Sequence, residues 1–201
     1  MTKAQILVKT RGFVRTKLEN EATGHDWYHI ERVVRAAKLI GKKEKADLFI
    51  VELGALLHDI ADWKFNQDQH AGEKVTRKWL ISLGLDKDNI ERVAYIVQNI
   101  SFKVGANKHK MKSIEGMVVQ DADRLDALGA IGVARAFAYG GYKHRMIYDP
   151  EGKSETSIKH FYDKILWLRD LMNTKTGYKL AGEREKFVKN YLKQFYKEWG
   201  E

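Results

Sequence analysis

The chain has 201 residues, no cysteine and a formal net charge of +9, with 44% hydrophobic and 31% charged residues. Disulfides, thiol nucleophiles and cysteine-type zinc sites are thereby excluded, which leaves His, Asp and Glu as the side chains able to hold a metal. The size suits one domain over 1–201 with a real core, and the positive field favours anionic partners such as nucleotides, nucleic acid or phosphorylated metabolites. The N-terminal MTKAQILVKTRGFVRTKLEN has no apolar core long enough for a signal peptide, and no later run could span a bilayer. The expectation is a soluble cytoplasmic protein with no membrane partner.

A single proline in the whole chain permits long uninterrupted helices. In chain order, apolar residues recur three and four apart at Ile6, Val14 and Leu18, then at Ile30, Val33, Val34, Ala37 and Ile40. LFIVELGALL (48–57) is apolar nearly all round apart from Glu52 and predicts a buried central helix. A strand is the competing reading of such a run, opposed by Gly54 and the helical pattern of the flanks. The three-four spacing continues at Val75, Trp79 and Leu80, and at Ile90, Val93, Val97 and Ile100. DALGAIGVARAFAYGG (126–141) is rich in Ala and Gly, which lets helices approach closely. YGGYKHRMIYDPEGKSETS (139–157) predicts a loop that could act as a lid. Phe161, Ile165, Leu168 and Met172 mark another helix, and a last helix is expected at about 180–199. The fold class is all-α.

Four polar residues stand where apolar ones are expected. His29 shares a stripe with Val33, Ala36 and Ile40; His58 follows Val51, Gly54 and Ala55, with Asp59 beside it; Asp123 shares a face with Val119, Ala127, Ala130 and Ala134. Any one alone is more often a hydrogen-bonded core residue. Asp59, however, lies at the negative end of an apolar helix, where a carboxylate is disfavoured. Buried carboxylates without partners cost several kcal/mol each, and a metal ion would answer that problem for Asp59 and Asp123 together.

The order His29, His58-Asp59, Asp123, in the contexts GHDWYHIERV, ALLHDIAD and VVQDADRLDALGAIGVARAFAYGG followed by HFYDKILWL, resembles the H…HD…D signature of the HD superfamily of metal-dependent phosphohydrolases. The likeness covers about residues 20–200 and is to the small stand-alone bacterial and archaeal branch. It implies an all-helical HD-domain bundle with a central metal site, its core at about 20–140 and C-terminal helices at about 157–199. One divalent ion (Mn, Fe, Co, Ni, Zn or Mg) would be bound by His29, His58, Asp59 and Asp123. The implied activity is hydrolysis of a nucleotide or related phosphoester by metal-activated water attacking phosphorus, including release of pyrophosphate from nucleoside triphosphates.

Around this set, Asp26 could orient a ligand or assist proton transfer, or simply cap a helix. Asp62, three residues after Asp59, could contact metal-bound water, and His70 and Glu73 are one turn apart. Asp121 is the alternative to Asp123 as fourth ligand, and Asp126 could hydrogen-bond a ligand. Arg32, Arg124 and Lys164, with Lys143 and Arg145 on the loop, are the candidate phosphate-binding cations; Trp27, Tyr28 and Trp63 could stack a base. HDWYH (25–29) is one residue short of the H-E-x-x-H zinc helix, but it lacks the glutamate base of that chemistry. His29 is instead assigned to the set completed elsewhere, and His25 to an outer role. The remaining alternative is a nucleic-acid-binding or regulatory module with a vestigial or structural metal site. The basic charge favours that reading, but no ordered basic stripe does.

Overall fold

Asp26, Asp47 and Asp86 each stop a loop and start a helix by accepting a backbone N–H of the first turn, and these caps fix much of the fold around the candidate site. The computed structural model describes residues 1–19, 24–60, 70–100 and 111–200. Its elements are α1 (Lys3–Leu18), α2 (Trp27–Lys43), α3 (Leu48–Leu57), α4 (Ala71–Ser82), α5 (Lys87–Asn99), α6 (Ile114–Asp126), α7 (Gly129–Tyr142), α8 (Ser157–Asp163), a 3-10 turn at Ile165–Trp167, and α9 (Lys175–Trp199). Among the described residues there is no strand, and Met146 and Thr156 form a lone bridge. The chain is all-α. No described helix is long and apolar enough to cross a membrane.

The chain divides into two compact units, Met1–Ala122 and Asp123–Glu201, with the boundary inside α6. In the first, α3 is the central element: every residue from Phe49 to Leu57 is buried, and α1, α2 and α5 all pack on it. Its one charge is Glu52, answered by Arg11 Nη2 of α1 at 2.9 Å and Lys38 Nζ of α2 at 2.7 Å. Gly54 lets α3 lie close to its neighbours, since a Cβ there would stand 3.2 Å from Ile96 of α5 and 3.4 Å from Val119 of α6. The start of α6 is held by the Glu115 carboxylate, which accepts from the Asp47 amide at 3.2 Å and from Arg92 at 3.2 Å. Trp79 of α4 stacks on Phe13 with centroids 4.1 Å apart and donates its indole N–H to Thr10 at 3.0 Å.

In the second unit α7 packs against α8 and α9. Phe137 and Tyr191 meet edge-on there, and Phe161 lies tilted against both. The structure differs from the sequence expectation at three places here. The helix expected through Phe161, Ile165, Leu168 and Met172 is broken, since α8 ends at Asp163 and only a 3-10 turn at Ile165–Trp167 follows. The face drawn from Asp123 through Ala127 to Ala130 and Ala134 is broken: α6 stops at Asp126, and Gly129, with φ +76°, restarts the chain as α7. Ala130 and Ala134 are exposed on that second helix. The last helix starts earlier, at Lys175, behind a Thr174 cap that accepts from Gly177 N. The irregular segment after α7 is tied down at its centre, where Tyr148 meets Phe195, Tyr196 and Trp199 of α9 edge-on. Asp149 accepts the amides of Glu151, Lys153 and Ser154 within the same segment.

Candidate metal centre

The two histidines that interrupt apolar faces are both buried, and their rings meet. His29 lies in the first turn of α2 and is fully buried; its amide donates to Asp26 Oδ1 at 2.7 Å, so the cap that starts the helix also fixes the backbone of this histidine. His58 ends α3. The His58 Nδ1–H donates to the Ala55 carbonyl at 2.8 Å, which leaves Nε2 as the nitrogen facing the cluster. That Nε2 lies 3.2 Å from His29 Nε2. Asp59 Oδ2 lies 3.4 Å from His29 Nε2 and 3.5 Å from His58 Nε2.

These separations test whether an ion fits. Ligand bonds of about 2.0–2.2 Å put neighbouring donors about 3.0 Å apart in octahedral geometry and about 3.4 Å apart in tetrahedral geometry. The three distances of 3.2, 3.4 and 3.5 Å fall on or close to such edges. The set is mixed N/O, with two imidazoles and a carboxylate, as first-row divalent metals prefer. Asp123, the fourth residue of the expected set, lies on α6 at the start of the second unit and is half-buried. Asp121, two residues earlier on α6, is fully buried.

Burial pushes the Asp59 carboxyl upward, but the charge of His58 and the hydrogen bonds from His25 and His29 outweigh it and hold the group well below the ordinary carboxylate range. Asp59 is therefore an ionised acceptor at the end of an apolar helix, stabilised by imidazoles.

The other sequence candidates separate. Asp26 is the α2 N-cap. Glu73 Oε1 accepts from Arg77 at 2.8 Å and its Oε2 lies 3.5 Å from His70 Nδ1, while Arg77 also binds Glu91 at 2.6 Å. Asp62 and Trp63 lie outside the described residues. Arg32 is half-buried on α2, one turn after His29. Arg124 donates to the Leu171 carbonyl, and Asp126 accepts from Arg135 at 3.0 Å. Lys143 lies over Tyr142 and Tyr139, and Arg145 over Tyr139. Trp27 is buried in the core, whereas Tyr28 is exposed.

His25, expected in an outer role, has its Nδ1 2.7 Å from Asp59 Oδ2, and His25, His29 and Asp59 form a second convergent group. One residue has no counterpart in the sequence expectations. His160 on α8 is pushed below its usual value by burial and then by the positive charges of Lys164 and Arg145, over the opposing pull of Asp163 and Glu155. Two of the cations singled out from sequence thus converge on one imidazole. Its position on α8, between Lys159 and Phe161, was the available signal.

Residues 26–128 match the HD domain model, a span that begins at the α2 cap and ends just past α6. The chain belongs to the HD domain family. This HD protein is similar to YpgQ of Bacillus subtilis (strain 168), 43% identical over 189 residues that cover 94% of this chain and 91% of YpgQ. Its fold matches the crystal structure of an HD-superfamily hydrolase from Bacillus thuringiensis with a TM-score of 0.83 and 44% identity, over 99% of both chains. It also matches the crystal structure of B. subtilis YpgQ in complex with ADP, with a TM-score of 0.78 and 39% identity over 96% of this chain and 97% of that one. HD domains bind divalent metals, and this one carries a His/Asp cluster with the spacing to do so.

Proposed function

We propose that this HD protein is a metal-dependent phosphohydrolase acting on a nucleotide or related phosphoester, with pyrophosphate release from nucleoside triphosphates as the leading reaction. The observation that carries the reading is the buried triangle of His29 Nε2, His58 Nε2 and Asp59 Oδ2, at 3.2–3.5 Å. His29, His58, Asp59 and Asp123 are the residues that would hold the ion. When bound, a divalent metal polarises a phosphoryl oxygen and lowers the pKa of water. The similarity to YpgQ, a protein crystallised with ADP, supports a nucleotide as substrate.

The protein's own groups do the rest. The Ala55 carbonyl keeps the His58 proton on Nδ1, so its Nε2 stays a donor of electrons. Asp26 spends Oδ1 on the His29 amide, and its other oxygen is the one suited to proton transfer. Asp62 and Glu73 are kept as further candidate acids from the sequence. Arg32 is the first cation we assign to substrate phosphate, ahead of Arg124, Lys164, Lys143 and Arg145, since guanidinium and ammonium groups stabilise the charge that develops on a transferred phosphoryl group.

The test is a hydrolysis screen with Mn, Co, Ni, Zn or Mg over nucleoside tri-, di- and monophosphates and cyclic nucleotides, with phosphate and pyrophosphate both measured. Turnover of at least one nucleotide class is expected. His58→Ala and Asp59→Ala lose bound metal and hydrolysis together; full activity in either overturns the assignment.

A further inference from the structure

His25 lies just outside α2, in the turn that leads into it. Gly24, with φ +91°, turns the chain there, and Asp26 then locks the start of the helix by capping the His29 amide at 2.7 Å. The capped turn leaves the rings of His25 and His29 edge to face, with centroids 5.4 Å apart. It also brings His25 Nδ1 to 2.7 Å from Asp59 Oδ2, across 34 residues of sequence. His25 is part-buried, with one fifth of its side chain exposed.

Two roles fit a histidine beside a metal-binding carboxylate: it is another ligand, or it holds the ligand in place. Distance separates them. Two donors bound to one ion at about 2.0–2.2 Å stand about 2.8–3.1 Å apart or more, and 2.7 Å is shorter than that edge. It is the length of a charge-assisted N–H···O hydrogen bond. A carboxylate is acceptor-only, so the proton on this bond belongs to His25 Nδ1. The same Oδ2 faces His29 Nε2 at 3.4 Å and His58 Nε2 at 3.5 Å, both on the scale of a coordination edge.

We propose that His25 is a positioning residue: its Nδ1–H donates to Asp59 Oδ2 and holds that carboxylate in the orientation the metal requires. This rests on His29, His58, Asp59 and Asp123 as the ligand set, and it gives the first histidine of HDWYH a function separate from that of His29. Asp59 follows the last residue of an apolar helix end, where the local dipole opposes its charge. An N–H aimed at its oxygen offsets that cost and restricts its rotamers before an ion arrives.

The test is Mn²⁺ affinity of the full chain without nucleotide, measured by titration calorimetry and by the resonance signal of free Mn²⁺. The series is the wild type, His25→Ala, His25→Asn and His58→Ala, with helical content checked by circular dichroism. Outer hydrogen-bond partners of metal ligands are typically worth about 10–100-fold in metal affinity. His25→Ala is expected to weaken Mn²⁺ binding by about that factor with its helical content intact. His25→Asn, whose amide N–H stands where Nδ1 stood, is expected to recover most of the loss. Wild-type affinity in His25→Ala overturns the proposal, as does an Asn variant no better than Ala, because the latter result makes the imidazole itself a ligand. His58→Ala separates this from the underlying reading: if it binds Mn²⁺ as tightly as the wild type, the ligand set is wrong. If it loses Mn²⁺ while His25→Ala does not, only the role of His25 is wrong.

Discussion

At the scale of single residues, the first unit tolerates little change because α3 is enclosed on all sides. Gly54 shows this most directly. An added methyl would sit 3.2 Å from two carbons of Ile96 and 3.4 Å from Val119, tighter than ordinary contact and against branched side chains in a packed core. Helix propensity favours Ala over Gly by about 1 kcal/mol, while overpacking costs about 1–3 kcal/mol. Overpacking wins, so Gly54→Ala is expected to destabilise the protein by about 1–2 kcal/mol, read as a lower urea midpoint with an unchanged slope. A stabilised variant would show that α3 can shift away from α5. Glu52, two residues earlier, was visible in the sequence only as a charge in an apolar run. Its partners, Arg11 and Lys38, come from two other helices and could not be paired with it by spacing. His29 and His58 were legible because a polar side chain that interrupts an apolar face is conspicuous. His25 was legible only as an outer residue, because it precedes the helix and its partner Asp59 lies 34 residues away.

At the scale of elements, the helices were read from periodicity and their ends from very little. α2 and α5 emerged with their apolar stripes in place because every third or fourth residue is apolar. The break between α6 and α7 was missed because Ala127 and Leu128 continue the pattern of helix formers; the Gly129 that ends it looks, by composition, like any other small residue of an Ala/Gly-rich run. Its positive φ is a tertiary fact. The start of α9 was placed late because Gly177 reads as loop, whereas in the helix its amide donates to the side chain of the Thr174 cap. Asp26 was left between two readings, acid or cap, and the structure gives it the cap. That role has a measurable size. Asp26→Ala is expected to cost about 1 kcal/mol in thermal or urea unfolding, within the usual range of about 0.5–2 for a lost N-cap, and Asp26→Asn to cost much less, because its amide oxygen still accepts from His29. If Asn preserves stability but abolishes turnover, the acid has a proton to move as well as a helix to cap. Equal stability in Ala and Asn would show that the cap contributes nothing.

At the scale of the whole molecule, charge sets how the fold responds to acid. The chain carries +9 at neutral pH, and its carboxylates are what offset the remaining cations. Several are held below their ordinary range in the folded state. Asp86 accepts from Asn89, Glu91 binds Arg77, and Asp149 accepts Ser154 and neighbouring amides against a burial effect of opposite sign. Glu185 of α9 is the least exposed of them; burial raises it, but Lys189 and Arg169 pull it further down, at 2.8 and 3.0 Å. A carboxyl depressed on folding gives stability that is complete above its unfolded value, 4.5 for this Glu, and is lost as pH falls through the folded value. Each proton taken up also adds to a net positive charge that already repels itself. The unfolding midpoint is therefore expected to fall steadily between about pH 5 and about pH 3 and to change little between about pH 6 and about pH 7. Glu185→Gln should lower the midpoint near neutral pH and flatten the acid slope, since that position no longer takes up a proton on unfolding. Thermal melts of the metal-free chain across this range read both effects. A flat midpoint down to about pH 3 would mean that these pairs form equally in the unfolded chain. An unchanged slope in Glu185→Gln would assign the acid sensitivity to the other depressed carboxylates, Asp59, Asp86, Glu91 and Asp149.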